Sequence, residues 1–333
     1  MSLAGLLNYL VFFVSLSGIY MILALGLNIQ WGYTGQINIG IAAFFAVGAY
    51  TAAIITTPAS PNHLGGFDLP FLVGVVGAMI TAGILALLVG LVTLKLRGDY
   101  LAIASIGIAE IVRLFLKNEA WLTNGVRGIP AIPQPVAGLI DGFDAELFMV
   151  LVLLFVGLTY LTVDRLYHSP WVRVLRAIRA NERAVQAAGK NMLRFRVEAF
   201  VLGSMAMGLA GALYAHFTSF ISPSAFDPMF ATFLVWVMLI SGGSGNNLGA
   251  VLGALIIWGI WSGTEYLTTR VLPNDWVTRA SAIRVFLIGV LLEVILLSRP
   301  EGLFAEKPPK TPGEEFGEVD IDYEKHIFSR MRR

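Results

Sequence analysis

The chain has 333 residues, 56% of them apolar and 14% charged, with a net charge of +1. A soluble domain carries roughly a quarter charged residues, so this composition, with a mean hydropathy of +0.74, excludes an ordinary water-soluble fold. The near-neutral balance gives no pull toward nucleic acid, and the lack of cysteine excludes disulfides, thiolate metal sites and cysteine nucleophiles.

A spanning helix needs roughly 20 apolar residues, and by that rule the chain reads as an all-α integral membrane protein, a polytopic bundle of about eight to ten transmembrane helices. The apolar runs are Leu3–Gly26, Ile37–Thr57, Leu69–Leu94, Leu101–Leu116, Leu147–Val163, Phe195–Phe217, Phe230–Ile240, Ala250–Thr269 and Ala282–Leu297. The first has no basic residue before it and reads as a span, not as a secretory signal. The fourth and seventh are short, so they are expected to be tilted, re-entrant or extended by their flanks. Together residues 1–299 form the transmembrane domain. Residues 300–333, with Pro308, Pro309 and Pro312 followed by a cluster of acids, read as a solvated cytoplasmic tail.

Orientation follows from the basic residues. The segment 165–196 carries Arg165, Arg173, Arg176, Arg179, Arg183, Lys190, Arg194 and Arg196 against the single acid Glu182, and is therefore placed in the cytoplasm. Counting crossings outward from it puts Lys95, Arg97 and the carboxyl tail inside, and the amino terminus and the 118–146 loop outside.

Four constellations stand out within this frame. Gly74, Ala78, Ala82, Ala86 and Gly90 recur every four residues and place small side chains on one face of the third run; Ser204, Gly208 and Ala212, and Gly249 and Gly253, repeat the device. Internal helix packing is the expected role, a subunit interface the alternative. The polar, glycine-rich stretch from Asn28 to Gly40 interrupts two apolar runs; it is read either as a substrate path carrying Gln30, Tyr33, Thr34, Gln36 and Asn38 or as a plain cytoplasmic turn. Glu110 and Arg113 lie three residues apart in the fourth run and are expected to form a structural ion pair, while Glu265 and Glu293 are further acids within apolar runs.

The fourth is the basic segment itself. On a continuous helix at 100° per residue, Trp171, Val174, Leu175, Ile178 and Val185 share one face and the basic residues the other, with Glu182 among the apolar set. A basic amphipathic helix lies by default on anionic lipid; an acid on its apolar face points instead to a protein partner. Other chemistries lack support. Gly242–Asn247 has no Gly-Lys-[Ser/Thr] ending, the four histidines have no metal-ligand spacing, and no catalytic constellation stands out.

The run Gly26-Leu27-Asn28-Ile29-Gln30-Trp31-Gly32-Tyr33-Thr34-Gly35, the segment Ala43–Tyr50, Arg97–Ile103, Glu110–Arg113, Arg176–Ala184 with Gly189, Leu209–Tyr214, Ile221-Ser222-Pro223 and Gly242–Asn246 together resemble the LivM-type permeases of branched-chain amino-acid ABC importers. The resemblance covers residues from about 20 to 300 and implies a plasma-membrane subunit that hydrolyses nothing itself and needs no cofactor. Its implied partners are a second homologous permease, two cytoplasmic ABC ATPases and an extracytoplasmic substrate-binding protein, besides membrane lipid. It also implies that the basic segment is an ATPase-coupling helix, with Arg176, Ile178, Arg179, Asn181, Glu182, Arg183 and Gly189 as its coupling residues. A related branch that carries urea or short amides is not separated by these motifs. An ion-coupled secondary transporter is the reading from another class, and it would have no use for an ATPase dock.

Overall fold

The computed structural model describes residues 3–61, 63–94, 99–140, 142–271 and 277–306. In chain order its helices are α1 (Leu3–Leu27), α2 (Ile41–Thr56), α3 (Phe71–Thr93), α4 (Asp99–Asn118), the short α5 (Ala120–Thr123), α6 (Asp144–Tyr167), α7 (Pro170–Ala180), α8 (Glu182–Ala187), α9 (Met192–Thr218), α10 (Leu234–Gly242), α11 (Asn247–Val271) and α12 (Val277–Ser298). Among the described residues the β-structure is a lone antiparallel bridge, Ile129 to Ile221. The protein is thus an all-α membrane bundle, and each of the nine apolar runs of the sequence falls on a helix.

The loops sort to two ends. At one end Leu64 N–H donates to Trp121 O (2.7 Å), Ile132 N–H to Ser219 O (3.1 Å), and Ile129 pairs with Ile221. At the other, Leu303 N–H donates to Ser241 O (2.9 Å) and Glu306 meets Arg176 and Arg179 of the basic segment. This is the sorting that nine alternating crossings require. Lys95 and Arg97, and the acidic tail beyond Glu306, lie outside the described residues.

The fourth run is extended by its flanks, one of the expected outcomes: α4 is a 20-residue helix that includes Glu110, Arg113 and Lys117. The second and seventh crossings are the irregular ones. After α1 the chain enters a π-turn at Asn28–Gly32, is irregular over 35–40 with Gly35 at φ +72°, and starts the 16-residue α2 at Ile41. A second π-turn, Met229–Phe233, precedes the nine-residue α10.

The small-residue stripe is buried. Ala78, Ala82 and Ala86 are fully covered, and α3 lies with α2 and α9 at backbone-contact range: a Cβ built on Gly208 would sit 2.6 Å from both Ala78 O and the Ala82 Cβ. The opposite face of α3, including Leu72, Val76, Ile80 and Ile84, is exposed, as a lipid-facing surface should be. Gly249 and Gly253 of α11 pack in the same way against Gly242 of α10. Internal packing is therefore the role of the stripe. Glu293 is exposed on α12.

Candidate functional site

The basic segment is built from caps. Ser169 accepts from Val172 N–H and Pro170 opens α7, the two residue types best suited to a helix start. At Asn181 the backbone leaves the helix (φ −157°, ψ 98°), and the Asn181 side chain accepts from Ala184 N–H (3.2 Å) to start α8. The continuous amphipathic helix expected from the sequence is thus two helices. Asparagine competes for backbone hydrogen bonds and favours a cap over a helix interior.

This break moves Glu182. It does not share the apolar face of α7 but stands in the first turn of α8, where the helix dipole favours an acid, and it pairs with Arg196 of α9. The apolar face itself is occupied by the chain's own core, with Val172, Leu175 and Ile178 buried. What remains outward is small and basic: Arg173, Ala177, Ala180, Arg183, Ala184, Ala187 and Lys190 are exposed, and Gly189 ends α8 at φ +72°.

Arg176 and Arg179 tie α7 to the end of α6 and to two distant parts of the chain. The Arg176 guanidinium lies 4.0 Å above the Tyr167 ring and its Nε is 3.2 Å from Glu306 Oε1. Arg179 donates from Nη2 to Glu306 Oε2 (2.5 Å) and from Nη1 to the carbonyl of Gly32 in the first π-turn. Glu306 is delivered there because residues 303–305 are fastened to the end of α10: Leu303 N–H donates to Ser241 O and Phe304 N–H to Gly242 O, both at 2.9 Å, and Asn246 Nδ2 donates to Ala305 O (3.1 Å). Gly245, at φ +86°, gives Glu306 its room, since a Cβ there would lie 2.6 Å from Glu306 Oε2. The first residues of the expected solvated tail are therefore packed.

The interrupted crossing is buried rather than a plain exposed turn. Asn28 Nδ2 donates to Asn247 Oδ1 (3.0 Å), Tyr33 Oη donates to the same oxygen (2.5 Å), and Asn28 Oδ1 accepts from Gly245 N–H (2.8 Å). Gln30 Nε2 donates to Phe200 O (2.8 Å) and Ser204 Oγ (3.0 Å), Asn38 Nδ2 to Gln30 Oε1 (2.8 Å), and Gln36 Nε2 to Arg196 O (3.0 Å). Thr34 Oγ1 donates back to Gln30 O. Buried polar groups find partners, and these have found them inside the chain, save Gln36 Oε1, which is buried without one.

Burial alternates along this irregular run: Gln36 and Asn38 are buried, while Ile37 and Ile39 are half-buried. These two isoleucines border a cleft of about 470 Å³, completed by Ile106, Ala109 and Glu110 of α4, by Pro228, Thr232 and Phe233 at the second π-turn, and by Trp236 of α10. Glu110 and Arg113 form the expected ion pair, with Arg113 Nε at 2.9 Å from Oε2 and Nη2 at 2.6 Å from Oε1.

Residues 9–296 match the family described as branched-chain amino acid transport system / permease component. The chain belongs to this permease family. It is 31% identical to the high-affinity branched-chain amino acid transport system permease protein LivM of Escherichia coli K12, over 89% of this chain and 70% of that one. It is equally 31% identical to the probable LivM permease of Methanocaldococcus jannaschii, over 89% and 93% of the two chains. LivH of Escherichia coli K12, a permease with a different name, is 27% identical over 86% of this chain and 94% of its own. No solved structure is a significant match.

None of the five polar residues assigned from sequence to the path borders this cleft; Ile37 and Ile39, the residues that follow Gln36 and Asn38, do. The seven assigned to coupling do share one end of the molecule, joined by Glu306, which sequence reasoning passed over. Since Thr34 is 3% exposed and Asn38 fully buried, cysteines placed there in this cysteine-free chain should resist a small thiol reagent, whereas cysteines at Ile37 or Ile39 should react readily. Labelling rates in detergent would check this; rapid reaction at Asn38 would mean that the knot of side chains is open in solution.

Proposed function

We propose that this chain is one of two related permeases of an ATP-driven importer of branched-chain amino acids, and that α7 and α8 receive the motion of cytoplasmic ATPase subunits. Membership of the permease family over 288 of its residues, 9 to 296, carries the transport reading. Likeness to both LivM and LivH supports a pair of homologous permeases. A substrate-binding protein outside the membrane completes the system, and ATP is hydrolysed on the partner subunits.

The structure of the basic segment refines how the ATPases would meet it. Because the apolar side of α7 is used by the chain itself, the dock is the outward side, where Arg173, Arg183 and Lys190 ring exposed alanines. Small side chains allow close approach, and the basic rim calls for an acidic groove. Charge complementarity of this kind sets partner choice and association rate.

Arg173→Glu combined with Arg183→Glu is therefore expected to insert and fold normally but to lose ATPase co-purification by at least tenfold, about 1.4 kcal/mol of affinity. Pull-down from membranes containing all partner subunits, with leucine uptake in the same vesicles, is the measurement. Stoichiometric ATPase recovery and normal uptake would remove this face from the coupling path.

A further inference from the structure

Both irregular crossings of the bundle border the same cleft. The irregular run 35–40 gives it Ile37 and Ile39, the second π-turn gives it Thr232 and Phe233, and α4 closes it with Ile106 and Glu110. Backbone departs from helix at membrane depth where it borders protein or a water-filled space. Two backbone groups of the irregular run are satisfied within the chain: Ile39 N–H donates to Ser105 Oγ (2.9 Å), and Asn38 O accepts from Trp236 Nε1 (2.9 Å), while Gln36 Oε1 is buried without a partner. The side turned to the cleft is left almost wholly apolar.

Glu110 interrupts that wall. Its side chain is 43% exposed and that of its partner Arg113 is 29% exposed, about midway along α4. An ion pair so open is unfavourable against lipid, so it belongs to a surface that meets polar matter.

We propose that this cleft is one wall of the amino-acid path, with the aliphatic side chain held by Ile37, Ile39, Ile106 and Phe233, the ammonium by Glu110 and the carboxylate by Arg113. The assignment rests on the permease reading above, the second permease supplying the facing wall. A zwitterion exchanges one ion pair for two and brings no net charge into the low-dielectric site, so neither Glu110 nor Arg113 is left uncompensated. A polyol would find almost no hydrogen-bonding groups on this wall. A lone cation would meet a carboxylate already neutralised by Arg113. A branched aliphatic amino acid matches both halves.

The test uses the whole transporter in proteoliposomes with its partners. Failure of the unmodified protein to take up leucine would sink the permease reading before the site is reached. Given uptake, Glu110→Arg with Arg113→Glu keeps the pair on the helix but exchanges its ends. Leucine uptake is expected to fall at least tenfold with ATPase co-purification retained, whereas full uptake would reduce the pair to a structural role and overturn the proposal. Should the exchanged pair fail to assemble, Ile106→Cys, which leaves both charges in place, decides. Leucine at saturating concentration should slow its alkylation at least fivefold, and an unchanged rate would overturn the assignment.

Discussion

Arg179→Ala is expected to separate ATP hydrolysis from leucine uptake, lowering uptake per ATP at least tenfold while the protein still inserts. Arg179 is where three parts of the chain are held together: α7 carries it, Gly32 in the first π-turn receives one of its nitrogens, and Glu306 receives another. Coupling between sites needs a physical element whose arrangement both sites bias. From Gly32 the connection continues through Asn28 to Asn247 and Gly245, and through the irregular run 35–40 to the cleft. Truncation leaves the buried Gly32 carbonyl without this donor, a loss of about 1–3 kcal/mol, and releases the π-turn from α7. Lysine at 179 should rescue only in part, because a point charge cannot fork between two acceptors as a guanidinium does. Glu306→Ala should give a weaker form of the same defect, since the Arg179 bond to Gly32 survives. Phosphate release and leucine uptake followed in the same vesicles would check all three, and a normal ratio in Arg179→Ala would show that the contact is incidental.

The architecture was legible because lipid removes the ambiguity that water leaves: a long apolar run must satisfy its own backbone, and only a helix or a closed barrel does so. The stripe on α3 was equally readable, since a four-residue spacing of small side chains has one geometric meaning on a helix. The interrupted crossing was legible as a break but not in its orientation. Gln30, Gln36 and Asn38 were read as one alternative for a path because they are polar; in a buried segment polarity is also what the interior must satisfy, and the residues that border the cleft, Ile37 and Ile39, carry no polar signal. Glu182 was misplaced for a different reason. A 100° projection carries no knowledge of caps, so it ran through Asn181, where the backbone turns out of the helix. Glu306 could not be found at all, because its pairing with Arg179 spans 127 residues and one acid in an acidic tail carries no signal of its partner.

Gly208→Leu is expected to abolish the folded protein altogether. α9 crosses α2 and α3 at this residue with backbones touching: a Cβ on Gly48 would lie 2.5 Å from Gly208 Cα, and one on Gly208 would lie 2.6 Å from Ala78 O. Neither neighbour is the yielding end of a long side chain. In lipid the helices gain nothing from hiding apolar surface from water, so their association depends on this close van der Waals contact. Ala82→Leu, at a position with no exposed surface, should cost about 1–3 kcal/mol by overpacking and lower the midpoint of thermal unfolding in detergent. Gly208→Leu forces more atoms directly against the α3 main chain at Ala78, so its yield as a monodisperse species should fall below about a tenth of wild type, beyond that overpacking range. Ile84→Leu, on the exposed face of the same α3, supplies the comparison: it changes a lipid contact and should leave yield and melting unchanged. Normal yield and uptake in Gly208→Leu would require α2, α3 and α9 to separate without loss, and the close crossing would then not be what holds the bundle together.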